Sequence, residues 1–261
     1  MERVKIDGKT VEYKIIRSHR KTVGIHLKHG EDVIIRAPQG ISKKRIKEIV
    51  HKKSKWIFKK LDEMKEMASP PDPLKFVSGE KILYLGKFYQ LEVKSFRDAY
   101  KETKKNDREI YIEKNNKNND IFINLEDEHL LIRIPERLDR VNDKSIIKES
   151  LIKWYKEEAR KNILERIRKY QKYIGRKPVK VRIKSQKTIW GSCSSKGNLN
   201  FNWKLIMAPL PVLDYIIVHE MVHLIHPNHS RRYWQMVEKI IPDYRQRKQW
   251  LKENGPALDI Y

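Results

Sequence analysis

Cysteine is almost absent from this chain, since Cys193 is the single one among 261 residues. A lone cysteine excludes an internal disulfide framework. Long apolar runs are also missing, because the longest, residues 205–218, is interrupted by two prolines and an aspartate and is too short to span a bilayer. The first five residues lack the apolar segment of a signal peptide. These absences predict a soluble, cytoplasmic protein with no membrane partner.

Acidic residues are few relative to basic ones. Lys and Arg number 58 against 34 Asp and Glu, which gives a formal net charge of +24. Such a charge indicates an anionic partner, because phosphate neutralisation supplies much of the affinity for nucleic acids. A lysine-rich surface is also typical of ordinary soluble proteins, and no zinc-finger spacing or RNA-recognition signature is present. Binding of nucleic acid or nucleotide is therefore one hypothesis beside a plain solvated surface.

The order of strand-like and helical patterns predicts an α+β fold. Residues 1–140 hold short strand-like stretches and an amphipathic basic helix at about residues 42–67, whose apolar positions recur near i, i+3 and i+4. Residues 69–73 look like a linker, and the polar residues 101–120 like a surface loop or hairpin tip. Residues 141–261 predict a second domain made of a small sheet and helices, among them a long helix over residues 143–174.

A histidine cluster carries the clearest chemistry. His219 and His223 are four positions apart, which on a helix means a rise of ~6 Å and a rotation of ~40°, so both rings can bind one metal ion. Glu220 is turned by roughly 100° from His219, so its carboxylate can reach a water at the metal without being a ligand. This is the HExxH arrangement of zinc hydrolases. The alternative is a buried helix whose histidines are merely paired within the core.

A third metal ligand is expected, because catalytic zinc sites usually have three protein ligands and a water. His226 shares the helical face of His219 but lies ~10 Å further along the axis. Pro227 disfavours a helical conformation at the residue before it. Pro227 and Asn228 should therefore turn the chain and bring His229 back to the metal, which makes His229 the predicted ligand and leaves His226 a supporting or structural role. The spacing equals that of the metzincins, but His226 stands where they have glycine, so no metzincin is assigned.

The segment around the only cysteine precedes a predicted strand. A catalytic thiol needs a base and an orienting group, and the metal site already supplies a nucleophile, so Cys193 is interpreted as a small buried residue. This strand could instead bind an extended peptide along its edge. Gly191 would then allow a substrate backbone to approach closely.

These residues resemble the YgjP-like metallopeptidase family, which is related in style to SprT-like and WLM zincins. The specific matches are residues 190–194 (WGSCS), 202–206 (NWKLI), 214–224 (DYIIVHEMVHL) and 228–230 (NHS), and further likeness lies in residues 17–22 (RSHRKT), 36–38 (RAP), 84–87 (YLGK) and the aromatic pair 233–234. The resemblance implies a zincin-like domain with zinc on His219, His223 and His229, and with Glu220 as the catalytic glutamate. It leaves the substrate undefined, and a nucleotide-hydrolysing activity has also been attached to the family name.

The leading functional hypothesis is a zinc-dependent metallopeptidase acting on a peptide or protein, with Glu220 as general base. Tyr233, Tyr244 and Arg245 are nearby candidates for stabilising the oxyanion. A metal-dependent nucleotide phosphohydrolase is the second hypothesis, although the chain has no glycine-rich phosphate loop and no carboxylate cluster for a second metal. The third is a nucleic-acid-associated protein with a protease-like zinc site, which the net charge motivates.

Overall fold

The chain folds into two compact units, residues Met1–Pro70 and Pro71–Tyr261. The computed structural model describes residues 1–6, 9–27, 33–65, 73–96, 111–113, 121–136, 138, 144–186 and 188–260. Within these ranges lie six helices and three small mixed sheets. The predicted α+β class is therefore confirmed. None of the described helices is long and apolar enough to cross a membrane.

The first unit is a four-stranded sheet with two helices. Its strands are β1 (Glu2–Ile6), β2 (Lys9–Ser18), β3 (Gly24–His26) and β4 (Val33–Pro38), and its helices are α1 (Lys43–Lys52) and α2 (Ser54–Lys65). The strand order is β1-β2-β4-β3, with β2 and β4 parallel. Alternate strand residues such as Val11 and Ile35 pack with Ile46, Val50 and Ile57 of the helices in one core.

The basic helix differs from its prediction in one respect. Ser42 caps α1 as its residue type favours, because its Oγ accepts a hydrogen bond from the Arg45 amide at 3.2 Å. The predicted single helix is instead two helices separated at Lys53. The Lys53 amide donates to the carbonyls of both Ile49 and Val50, so the last turn of α1 tightens and the helix ends there.

The second unit holds the other two sheets and four helices. The five-stranded sheet, in the order β5-β6-β9-β8-β7, consists of β5 (Lys81–Tyr84), β6 (Lys87–Phe96), β7 (Tyr111–Glu113), β8 (Ile121–Glu126) and β9 (His129–Pro135). The three-stranded sheet, in the order β10-β12-β11, consists of β10 (Lys180–Lys184), β11 (Gly191–Cys193) and β12 (Asn198–Asn202). The helices are α3 (Lys144–Ile174), α4 (Leu210–Val222), α5 (Arg231–Ile240) and α6 (Tyr244–Asn254).

One hydrophobic core joins these elements. Leu91 of the five-stranded sheet, Leu151 of the long helix α3 and Leu213 of α4 all belong to it. Hydrogen bonds tie the sheet to α3, since the Tyr155 hydroxyl donates to the Leu83 carbonyl at 2.9 Å. The division predicted at residue 140 therefore does not coincide with the division between compact units. Residues of β5, β6, β8 and β9 share this core with α3, so these strands belong with the C-terminal elements.

Two further predictions fall largely outside the described residues. Of the predicted linker, residues 69–72 are not described. Of the predicted loop or hairpin tip, residues 101–110 and 114–120 are not described, and residues 111–113 form β7.

Candidate metal centre

Helix α4 positions the first two candidate residues, His219 and Glu220. Pro211 stands in its first turn, where the missing amide proton of proline costs no hydrogen bond. Residues 212–218 are all buried, so the helix is surrounded by protein on most of its circumference. Only near its C-terminal end does His219 become half-buried, which gives the imidazole access to a ligand.

A turn after α4 brings the chain back to the same place. The helix ends at Val222, with His223 as its C-terminal cap. The amides of Leu224 and Ile225 donate to carbonyls three residues earlier, which tightens the backbone into a turn. Bends at residues 227 and 228 follow, as the sequence predicts for the proline. Helix α5 then begins at Ser230, whose Oγ accepts from the Tyr233 amide at 3.4 Å.

Three imidazoles converge as a result of this turn. The Nε2 atom of His229 lies 3.2 Å from Nε2 of His223 and 3.2 Å from Nε2 of His219. Two nitrogen ligands at ~2.0–2.1 Å from a tetrahedral zinc ion would lie about 3.3 Å apart. The donor set and its spacing therefore fit a single zinc ion. It is the one group of three metal-ligating side chains in the described part of the chain.

The fourth histidine of the cluster acts through its backbone. The Nδ1 atom of His223 lies 3.0 Å from the carbonyl oxygen of His226. Because a carbonyl only accepts, His223 donates its Nδ1 proton and keeps the Nε2 lone pair for a metal ion. The His226 ring is not part of the convergent group, so the structure places His226 in a supporting position and His229 in the cluster.

The rings are packed by two aromatic side chains of α5, of which the sequence analysis had named Tyr233 as a nearby residue but not its packing role. The fully buried Tyr233 lies 4.6 Å from His223 and 4.8 Å from His229, centroid to centroid. Its hydroxyl donates to the His219 carbonyl at 3.0 Å. Trp234 stacks on His229 at 5.6 Å with an interplanar angle of 22°. The only signal for these contacts in the sequence was the adjacent aromatic pair.

The two other oxyanion candidates lie further from the histidines. Tyr244 stacks on Trp234 at 5.2 Å. The Arg245 guanidinium lies over the Tyr244 ring and forms an ion pair with Glu238. The Tyr233 hydroxyl already donates to the His219 carbonyl, so its proton is not directed toward the converging nitrogens.

Burial sets the charges at the centre. Burial, reinforced by repulsion from His223 and His229, lowers the pKa of His219 to about 3. The pKa of His229 is also lowered, by burial and then by the charges of His223 and Lys248. Neutral imidazoles at neutral pH have the free lone pairs that metal binding requires. Burial raises the pKa of Glu220 to about 8.

Glu220 lies against Gly191 of strand β11. A Cβ atom added at Gly191 would lie 2.6 Å from Oε1 of Glu220 and 2.7 Å from its Cγ. The absence of a side chain at residue 191 therefore makes room for the glutamate. From the sequence we expected Gly191 to let a substrate backbone approach closely. In the structure, the side chain of Glu220 lies beside Gly191.

Cys193 ends the same strand and is half-buried rather than buried as predicted. Its Sγ donates to the adjacent Ser194 carbonyl. Burial and the charge of Glu220 raise the pKa of this thiol, so it stays protonated at neutral pH. A protonated thiol is a poor nucleophile, which agrees with a non-catalytic role for Cys193.

A cleft of about 350 Å³ opens beside His219 and Glu220. Its walls include the apolar side chains of Trp190, Ile216 and Leu251, and two lysines of α6, Lys248 and Lys252. A concave, largely apolar pocket next to a reactive centre is the usual form of a substrate site.

Known proteins provide an independent comparison. No curated protein matches this chain. A solved structure, the crystal structure of the metallopeptidase zymogen of Pyrococcus abyssi abylysin, shares 24% identity at a TM-score of 0.33, over 34% of this chain and 90% of that one. The model of the YgjP-like metallopeptidase domain matches residues 21–144 and 126–254. Because these two overlapping segments together cover most of the sequence, the chain belongs to the YgjP-like metallopeptidase family.

Proposed function

We propose that this protein is a zinc-dependent peptidase whose zinc ligands are His219, His223 and His229, with Glu220 as general base. The observation that carries the proposal is the convergence of three Nε2 atoms at the spacing of a tetrahedral zinc site, beside a buried carboxylate. Family membership supports the peptidase activity, and peptides or proteins are the substrate class it implies.

In the proposed mechanism the three histidines hold the metal ion and Glu220 transfers a proton. A bound zinc ion would lower the pKa of a coordinated water toward ~7 and polarise the scissile carbonyl. Glu220 would take a proton from the attacking water and pass it to the leaving amine. A divalent cation nearby favours the charged carboxylate, so the high pKa of Glu220 in the metal-free protein would fall when metal binds.

Strand β11 supplies a place for the substrate backbone. Within the described residues, β11 pairs with β12 on one side and is an edge of its sheet. An extended peptide can add to such an edge through backbone hydrogen bonds. Because Gly191 of this strand touches Glu220, a peptide bound along β11 would run past the general base.

The two rival hypotheses have less support. The candidate metal group in the described part of the chain consists of histidines alone, whereas phosphoryl-transfer sites commonly hold their metals with carboxylates. Nucleic-acid binding rests on the net charge of +24 alone, and it stays a prediction.

Metal content tests the ligand set. We expect about one zinc ion per chain in the wild type after reconstitution, and loss of zinc from His219→Ala and His229→Ala, because each removes one of three nitrogen ligands. His226→Ala is the matched control, since the His223 ring contacts its backbone carbonyl, which alanine retains. Elemental analysis of the purified proteins measures all four.

Peptide cleavage tests the base. Glu220→Gln should keep its zinc and lose peptide hydrolysis, because glutamine has no carboxylate to accept a proton. Zinc retained by both histidine variants, or full hydrolysis by Glu220→Gln, would contradict the proposal.

A further inference from the structure

We propose that Lys248 makes the cleft beside the metal centre selective for peptides that carry an acidic residue next to the scissile bond. The inference deepens the proposed peptidase function and rests on it. Four features of the structure support it: the position of Lys248, its anchoring on Trp234, its lack of a carboxylate partner and the composition of the cleft.

Lys248 lies in the wall of the cleft that also contains His219 and Glu220. It belongs to helix α6, and Lys252, one helical turn further on, lines the same cleft. A substrate whose scissile bond is at Glu220 would place a neighbouring side chain in this cleft. The ammonium group of Lys248 would then be among the first charges that this side chain meets.

An aromatic ring holds the Lys248 ammonium near the metal centre. Its Nζ lies 4.7 Å from the ring centroid of Trp234, a distance at which the ring face attracts a cation. Trp234 also stacks on His229 and on Tyr244. One indole ring thus lies in contact with both the ammonium and a candidate zinc ligand, which restricts where the charge of Lys248 can be.

Lys248 lacks a carboxylate partner within the described ranges of the chain. Its neighbours on α6 differ from it, because Arg245 pairs with Glu238 and Arg247 with Asp243. Among the described residues that line the cleft, Glu220 is the single acidic one, and the proposed mechanism uses it as the base. A cation without an internal partner is available to a substrate anion.

The apolar walls strengthen this preference. Trp190, Ile216 and Leu251 line the cleft, and a substrate side chain that enters displaces water from them. An ion pair is stronger where less water screens it. Glu or Asp in the substrate gains this attraction, whereas Lys or Arg meets repulsion, so charge complementarity sets specificity here.

Peptide binding tests the proposal without requiring turnover. The protein is zinc-loaded Glu220→Gln, which cannot cleave, and the probes are fluorescein-labelled, end-capped peptides of Ala and Ser with one central Glu, Gln or Lys. We expect the Glu peptide to bind about two- to fivefold more tightly than the Gln peptide, as one exposed ion pair allows, and the Lys peptide to bind more weakly still. Fluorescence anisotropy measures each Kd.

Charge-reversal variants distinguish an effect of Lys248 in the cleft from an effect of the protein's overall positive charge on peptide binding. Lys248→Glu should remove the preference for the Glu peptide and favour the Lys peptide. Lys239→Glu changes the net charge equally at an exposed position of α5 that does not line the cleft, and it should leave the preference intact. Thermal unfolding checks that both variants are folded, as expected for exposed side chains.

Three results would overturn the inference: equal Kd values for the Glu and Lys peptides, a preference that survives in Lys248→Glu, or a preference lost equally in Lys239→Glu. Turnover by the zinc-loaded protein with Glu220 intact is measured separately on the same peptides. A Lys248-dependent preference without any cleavage would support the specificity of the cleft and overturn the peptidase proposal, so the two failures are distinguishable.

Discussion

Glu220 is the residue of the candidate site whose burial is unfavourable for the folded state when its carboxyl is charged. Its side chain is 5% exposed, and burial raises its pKa from 4.5 to about 8. In the metal-free protein, folding therefore opposes ionisation of this carboxyl at neutral pH. A residue that weakens the fold and serves the chemistry is typical of functional sites.

The stability of the metal-free protein should reveal this cost through its pH dependence. Between pH 4.5 and 8, Glu220 is protonated in the folded chain and ionised in the unfolded one, so its contribution to stability falls as the pH rises. Glu220→Gln has no carboxyl that titrates, so this decrease in the free energy of unfolding with rising pH is absent in the variant. We expect the variant to be more stable than the wild type by at least about 1 kcal/mol at pH 8, since one pKa unit is worth about 1.4 kcal/mol, with little difference near pH 4.5.

Urea unfolding in the presence of a chelator, at pH 5, 6.5 and 8, measures the difference. Glu149→Gln, at an exposed position of α3, corrects for the change in net charge. A stability difference that does not grow with pH would show that burial does not disfavour the Glu220 carboxylate.

Gly191 is the second residue on which the site depends. A Cβ in Gly191→Ala would collide with Glu220, and overpacking of this kind costs about 1–3 kcal/mol. Displacing the base should also slow peptide hydrolysis by roughly tenfold or more, while zinc content stays unchanged because no histidine is touched. Gly40→Ala is the control, because a Cβ there has no atom within 4 Å. Equal activity in the two variants would exclude a positioning role for Gly191.

The positions of the candidate site residues were easier to predict from the sequence than the side chains that surround them. Spacing alone singled out His219, His223 and Glu220, because helical geometry relates residues four apart without knowledge of the rest of the fold. Pro227 added the turn toward His229. The neighbours of these residues could not be predicted in the same way, since the contact of Gly191 with Glu220 depends on how a strand and a helix pack in three dimensions.

Among the elements, helix α4 is held in place by charged side chains of helix α3. Asp214, in its second turn, has a side chain that is 9% exposed and lies 3.6 Å from a guanidinium nitrogen of Arg166 on α3. Lys169 of α3 lies 3.9 Å from the same carboxylate oxygen. The long helix α3 thus holds helix α4, which carries His219 and Glu220, by charge as well as by apolar packing.

Removing the buried carboxylate should destabilise this pairing of helices. Asp214→Ala leaves the largely buried Arg166 without its anion, and we expect a loss of roughly 3 kcal/mol in the free energy of unfolding. Glu238→Ala, which breaks the exposed pair with Arg245, should cost less than about 1 kcal/mol. Urea titrations of the two variants compare them directly, and equal losses would mean that Asp214 does not secure α4.

At the scale of the whole molecule, element types were predicted well and their grouping was not. The long helix α3 (Lys144–Ile174) lies within one residue of the predicted helix over 143–174, because apolar spacing reports local structure. The grouping depends on which apolar faces meet. Sequence order put strands β5–β9 with the N-terminal region, whereas residues of β5, β6, β8 and β9 share one core with α3 and α4.

Two fragments distinguish these arrangements. Residues 71–261 should fold and bind zinc, since they contain the complete second core and all three candidate ligands. Residues 141–261 should not fold stably, because removing the five-stranded sheet exposes Leu151, Trp154 and Tyr155, which are at most 3% exposed in the chain. Circular dichroism and zinc content assess both fragments. A cooperatively folded 141–261 fragment would restore the boundary at residue 140.

The turn of the hairpin between β5 and β6 contacts the start of helix α4 at a single glycine. Gly86 has a φ of +79°, and a Cβ there would lie 2.7 Å from Pro209, the residue that caps the start of α4. Its amide also donates to the Met207 carbonyl at 3.0 Å. A side chain at residue 86 would therefore push this turn against the start of the helix that carries His219, so the placement of the histidine depends on a turn far earlier in the chain.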